Sequence, residues 1–263
     1  MPKKLTIKHL GVLIFFVASL SFITGCALTD QKAVESTEIE PDINMLRVGV
    51  TPNAPPLIFK KGKKIIGLEA DFAKELAKYL GKSLRFVELE WEDQIPALLD
   101  NRTDIIMSGM TQTPLREVRI AFTRRYLESG QMALIRREDS VRFSTGIFSL
   151  ATSSGIGVIK NTFGEYFVDE RFSNIKKEIF SSPQAAVEAV IDKDIDMFIY
   201  DAPMILYMAS ENEDKGLTAL FALLTRENLA WGVRKDNTDL LNSANSFLQN
   251  PNNEKMLKKM TQY

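Results

Sequence analysis

Ala97-Leu98-Leu99-Asp100-Asn101-Arg102-Thr103-Asp104-Ile105-Ile106-Met107 returns 92 residues later as Ala189-Val190-Ile191-Asp192-Lys193-Asp194-Ile195-Asp196-Met197-Phe198-Ile199. Each copy reads as the end of an apolar helix, a polar turn, an aspartate and an apolar strand. The strand openings echo as well: Val48-Gly49-Val50 precedes Asn53, and Ile156-Gly157-Val158 precedes Asn161. Any two helix–strand units look alike, so common ancestry of the two halves stays open. Two similar α/β lobes follow either way.

Working outward, Leu46–Val50 and Leu84–Glu88 are short apolar runs, and between them Leu68, Phe72, Leu76 and Leu80 recur every four residues until Gly81 supplies a stop. Ile95, Leu98 and Leu99 mark a second short helix before a strand at Asp104–Met107. The alternation predicts a mostly parallel sheet with helices on both faces.

The chain has 263 residues, and its one cysteine and one histidine both fall in the first 26. Lys3, Lys4 and Lys8 precede an apolar run from Leu10 to Ile23, too short and wrongly flanked for a membrane span, so residues 1–25 read as an export signal. Ile23-Thr24-Gly25-Cys26 resembles a bacterial lipobox, in which Cys26 is acylated and becomes the first residue; a free cysteine closing a membrane anchor is the plainer alternative. Stable anchoring takes more than one acyl chain. Residues 26–44 carry Asp30, Glu35, Glu38, Glu40 and Asp42 against Lys32, as expected of a solvated tether reaching about 20 to 25 Å.

A mature chain without histidine or free thiol excludes Ser-His-Asp and Cys-His nucleophiles, intrachain disulfides and nitrogen/sulfur metal sites. No metal or cofactor is expected. With the leader's three lysines removed, 30 basic residues stand against 34 acidic ones, which gives no electrostatic case for nucleic acid.

Open parallel sheets bind ligands beyond the carboxyl ends of their strands. That rule selects Ser108-Gly109-Met110-Thr111 in one half and Tyr200-Asp201 in the other, which meet in one cleft if the lobes face each other. Thr113-Pro114 reads as a helix cap with proline at the first helical position, placing Arg116 in the first turn, where a cation opposes the helix dipole and an anionic partner would explain it. A surface arginine is the plainer reading on position alone.

Leu46-Arg47-Val48-Gly49-Val50, Gly67-Leu68-Glu69-Ala70-Asp71, Trp91 before Ile95-Pro96-Ala97-Leu98, Asp104–Arg116, Tyr126–Gln131, Gly157–Thr162, Asp196–Asp201 and the hinge-like Trp231-Gly232-Val233-Arg234-Lys235 together resemble the bacterial extracellular solute-binding proteins of family 3, the polar amino-acid receptors of ABC importers. The resemblance runs from about Leu46 to Tyr263 and implies a two-lobed fold joined by two crossovers. Lobe 1 would be 45–137 plus 227–263, and lobe 2 138–226. It assigns Arg116 to a ligand α-carboxylate, Asp201 to its α-ammonium, and Thr111 with the Gly109 carbonyl to the lobe-1 clamp. Thr162 would meet the carboxylate from lobe 2, Trp91 would lie over the ligand unless it is core, and Lys160 would read a side chain unless it is an exposed loop lysine. The implied protein is a monomeric receptor partnered by an ABC permease.

Two positions depart from the family pattern. Ala54 stands where many relatives carry an aromatic that sandwiches the ligand, and Thr51 stands where receptors for basic amino acids carry an acid, which disfavours lysine and arginine. Two other classes stay open. One is a cyclohexadienyl-dehydratase-like enzyme using Asp201, Glu165 or Lys160 as general acid. The other is a sensory or adaptor lipoprotein of the same fold.

Overall fold

The computed structural model describes residues 44–250 and 253–258. The export signal, Cys26 and nearly all of the tether lie outside the described residues.

Two five-stranded sheets carry the fold. The first has the order β5 (Ser83–Glu88), β1 (Met45–Val50), β6 (Ile105–Ile106), β15 (Gly232–Val233), β7 (Ala121–Phe122). The second has the order β11 (Lys177–Phe180), β10 (Ile156–Ile159), β12 (Met197–Asp201), β9 (Gln131–Arg136), β13 (Leu217–Leu220). In each sheet one strand runs against the other four: β15 in the first, antiparallel to β6 and β7, and β9 in the second, antiparallel to β12 and β13. A two-stranded antiparallel ladder joins β8 (Leu127–Ser129) to β14 (Glu227–Leu229), and β2 (Asn53–Ala54), β3 (Ile58–Lys61) and β4 (Lys64–Ile66) form a small separate sheet.

The sequence echo is an echo of register. Val48 pairs with Ile105 and Gly49 with Ile106 in the first sheet; Ile156 pairs with Met197 and Gly157 with Phe198 in the second. Both glycines occupy the same crowded place. A Cβ at Gly49 would stand 2.7 Å from Gln94 Oε1 and 3.2 Å from the Thr103 methyl, and one at Gly157 would stand 2.5 Å from Ile195 Cδ1. Thr103 and Ile195 are themselves echo partners, each just ahead of its strand. The turns match too, with left-handed backbone at Asn101 (φ 58°) and Lys193 (φ 68°).

Helix α1 (Leu68–Tyr79) turns Leu68, Phe72 and Leu76 onto the sheet, where each is at most 1% exposed. Phe72 packs edge-on against Trp231 and Tyr126, with ring centres 5.5 and 5.9 Å apart. Helix α2 (Gln94–Leu99) leads into β6, as α6 (Pro183–Ile191) leads into β12; α3 (Pro114–Glu117), α4 (Ile147–Leu150) and α5 (Phe163–Arg171) lie on the connecting segments.

Strand membership corrects two expectations. β9, at 131–136, lies inside the second sheet, so the chain crosses over near Gly130 and not at 137. The apparent hinge at Trp231–Lys235 is instead the sheet strand β15 with a fully buried Trp231; the paired crossing segments are β8 and β14. Glycine is needed at the crossing, because a Cβ on Gly130 would fall 2.1 Å from the Thr225 carbonyl oxygen on the return segment. Gly130→Ala is therefore expected to lower stability by about 1 to 3 kcal/mol, read as a shift in the denaturant midpoint at unchanged slope.

Candidate functional site

Both strand ends open onto one cavity. From the first sheet's side come Trp91, Gly109, Thr111 and Arg116; from the second come Thr162, Tyr200 and Asp201. Its free volume is about 10 Å³, roughly what one water needs, so the two sides are drawn closed and an amino acid could enter only after they part.

Thr113 caps α3 by accepting from the Arg116 amide at 3.3 Å, with Pro114 at the first helical position. The helix has only four residues, however, so the dipole argument for Arg116 carries little weight. What marks Arg116 is its company. Its Nη1 donates to the Thr111 carbonyl at 2.7 Å and its Nη2 to the Asn161 carbonyl at 3.3 Å, while its guanidinium lies 5.2 Å from the centre of the Trp91 ring. Among the described residues it makes no ion pair within 4 Å. Burial presses its pKa down, and nearby Asp201, Glu227 and Tyr200 oppose that pressure. It is a partly buried cation with bonds only to neutral carbonyls.

Asp201 ends β12 and accepts a hydrogen bond at 2.7 Å from Gln131 Nε2. Burial first, then the negative charge of Glu227, pushes its pKa up to about 7, against the opposing pull of Gln131 and Arg116. Thr111 donates to Glu227 Oε2 at 2.9 Å. Gly109 sits in the left-handed region (φ 68°), and its amide donates at 2.5 Å to Glu69 Oε2, which lies wholly buried at the start of α1. Desolvation drives the Glu69 carboxyl up to about 7, although hydrogen-bonding groups on Tyr126, Gly109 and Trp231 pull the other way. The geometry around its second oxygen is poor: Glu69 Oε1, Tyr126 Oη and Trp231 Nε1 are all buried without a hydrogen bond of good geometry.

Thr162 caps α5, its hydroxyl donating to the Ile159 carbonyl at 2.7 Å and facing the Glu165 amide at 3.5 Å. Trp91 is partly buried and packs on the cluster of Leu98, Ile106, Met110 and Ile120, while its indole N–H donates to the Asn161 carbonyl at 2.9 Å. Lys160 stands apart from the cavity, on an adjoining cleft of about 380 Å³ with Thr51 and Trp91, and faces Glu92 at 3.8 Å with both side chains exposed. Thr51 is spent internally, donating to Leu89 O at 2.9 Å and accepting from Gln94 at 2.8 Å. Ala54 lines the cavity.

The sequence expectations therefore bring six residues to one place, Trp91, Gly109, Thr111, Arg116, Thr162 and Asp201, and leave Lys160 beside it. Gln131, Glu227 and Glu69 went unassigned. A polar residue heading the wholly buried strand β9, and an acid three residues ahead of Phe72 on the buried face of α1, were the available signals.

Residues 46–263 match the family model for bacterial extracellular solute-binding proteins, family 3. The chain is 24% identical to the arginine-binding extracellular protein ArtP of Bacillus subtilis, over 94% of this chain and 96% of that one. Among solved structures it resembles the arginine-bound form of truncated ArgBP from T. maritima, with 29% identity, TM-score 0.72, and coverage of 78% of this chain and 95% of that one. It also resembles the ancestral amino acid-binding protein AncCDT-1, a precursor of cyclohexadienyl dehydratase, with 28% identity, TM-score 0.75, and coverage of 83% and 94%.

Proposed function

The chain belongs to the bacterial extracellular solute-binding proteins, family 3, and from that premise we propose that it captures a small α-amino acid between two lobes and delivers it to an ABC permease. The lobes would meet at the β8/β14 crossing. One observation carries the reading: Arg116 and Asp201, of opposite charge and with no ion pair between them, reach a single closed cavity from opposite sheets. A zwitterion supplies what each lacks. Its carboxylate would take the guanidinium fork in two parallel bonds, and its ammonium would take Asp201, Thr111 and the Gly109 carbonyl. Contacts shared between the lobes favour the closed form, as hinge closure requires.

Release from the cytoplasm through residues 1–25 and anchoring through Cys26 complete the proposal; among the described residues no helix is long and apolar enough to cross a membrane. Relatives that bind arginine put basic amino acids on the test panel, although Thr51 offers no acid to a basic side chain.

Scanning fluorimetry of the 27–263 body against the common amino acids tests this, since a ligand bound only by the folded state raises its stability by about 2.7 kcal/mol at a hundredfold excess over Kd. At least one amino acid is expected to raise the melting temperature by several degrees; no shift with any of them sinks the reading.

One observation favours a second reading. Asp201, held near 7, has the proton affinity a general acid needs, and AncCDT-1 is a dehydratase precursor. Of the other two candidate acids, Glu165 is already committed to the Asn161 amide at 2.7 Å and to Lys177 at 3.1 Å, and Lys160 stands outside the cavity facing Glu92 at 3.8 Å. We therefore propose a receptor without catalytic activity, and incubation with prephenate is expected to release no phenylpyruvate.

A further inference from the structure

Gln131 and Glu227 stand behind the cavity, at the two points where the chain crosses over. Gln131 Nε2 donates to Asp201 Oδ1 at 2.7 Å and lies 3.2 and 3.3 Å from the two oxygens of Glu227. Glu227 Oε2 accepts from Thr111 at 2.9 Å, and its Oε1 accepts from Thr225. One chain of bonds thus runs from Thr111 on the first side, through Glu227 and Gln131 on the crossings, to Asp201 on the second. The amide orientation follows from its neighbours, because its oxygen turned round would face three carboxylate oxygens.

The charges in this group do not balance. Asp201 and Glu227 share one amide nitrogen, while Arg116, the cation whose charge acts on Asp201, is bonded to two backbone carbonyls. Glu227 is only 7% exposed, so water screens the pair weakly. A bound ligand carboxylate would neutralise Arg116 and leave both acids uncompensated. A ligand amine would restore one positive charge beside them.

We propose that Glu227 is a positioning residue for ligand recognition: it fixes Thr111 directly and Asp201 through Gln131, and its charge makes the cleft select a carboxylate that carries a cationic amine over the same carboxylate without one. This rests on the amino-acid reading above and deepens it, since it turns on a residue outside the cavity wall. Asp201 is faced by Glu227 from β14, by Arg116 from α3 and by its neighbour Tyr200 on β12. Of these, Glu227 raises its proton affinity and Arg116 lowers it. Ionised Asp201 binds the amine, so binding in the wild type is expected to weaken as pH falls below about 7.

Calorimetry on the 27–263 body tests the proposal with L-arginine, L-lysine, L-histidine and L-glutamine, each beside its desamino acid. At pH 8, Glu227→Gln is expected to weaken the best amino acid about ten- to a hundredfold, the loss typical of a hydrogen bond to a charged group, while its desamino counterpart binds as well or better. The acid limb should also move to lower pH, because the repulsion that raises Asp201 is gone, so the handicap narrows near pH 5. Glu227→Asp should recover part of the affinity. Unchanged amino-acid affinity in a folded Glu227→Gln variant overturns the inference alone. So does an equal loss for both ligands with an unmoved acid limb, which marks a purely structural role. A wild type that binds none of the common amino acids overturns the amino-acid reading, and this inference with it.

Discussion

Arg116→Ala is expected to weaken amino-acid binding by two to four orders of magnitude in a protein that still folds. The guanidinium is partly buried, its pKa is pressed down by desolvation, and its bonds go to the neutral carbonyls of Thr111 and Asn161. A ligand carboxylate would give it an ion pair that none of the described residues supplies within 4 Å. Breaking a buried, hydrogen-bonded charge pair by removing one member costs about 3 to 5 kcal/mol, which sets the range. Folding should survive because Arg116 sits on a four-residue helix and belongs to no apolar core. Arg116→Lys should also fail substantially, since an ammonium cannot make two parallel bonds to a carboxylate. Asp201→Ala should lose a similar amount through the ammonium end. Titration calorimetry of folded variants checks all three. Near-native affinity in Arg116→Ala and Asp201→Ala would remove both the site and the amino-acid cargo. If only Asp201→Ala bound normally, the ligand would be a carboxylate without an amine, and the dehydratase reading would return.

How these residues could be read before the fold was known separates local signals from long-range ones. Asp201 and the segment Ser108–Thr111 follow from a rule about where parallel strands end, and the rule needs only an apolar strand and the next few residues, whereas Arg116 rests on a capping signal and on the family resemblance. The echo between 97–107 and 189–199 went further, because matching Ile105 with Met197 anticipates which residues lie beside Val48 and Ile156. The antiparallel strands were out of reach. Gly232–Val233 and Ala121–Phe122 are two residues each, too short for any periodicity to register, and Trp231 reads equally well as hinge or as core. Gln131 and Glu227 meet across 96 residues, a separation that no local pattern encodes. Glu69 was partly legible. It shares the helical face of Phe72 and Leu76, and an acid on an apolar stripe is a buried charge in need of a reason.

That buried acid sets the direction in which stability should depend on pH. Glu69 is fully enclosed, and burial raises its carboxyl from 4.5 to about 7. The folded state therefore holds a proton that the unfolded chain releases near 4.5, and deprotonation favours unfolding. The stabilising contribution is complete below about pH 4.5 and is lost as pH rises through 7. A shift of this size corresponds to about 3 kcal/mol between pH 4.5 and pH 8. Asp201, raised from 3.8 to about 7, acts with the same sign, but its side chain keeps some access to solvent and its share is smaller. Urea unfolding at pH 5 and pH 8 is expected to show a wild-type protein several kcal/mol less stable at the higher pH. Glu69→Gln keeps an oxygen for the Gly109 amide and carries no charge at either pH. It should flatten most of that slope and exceed the wild type in stability at pH 8. Parallel pH profiles for the two proteins would show that Glu69 ionises freely in the folded state, and that its bond to the Gly109 amide carries no proton linkage.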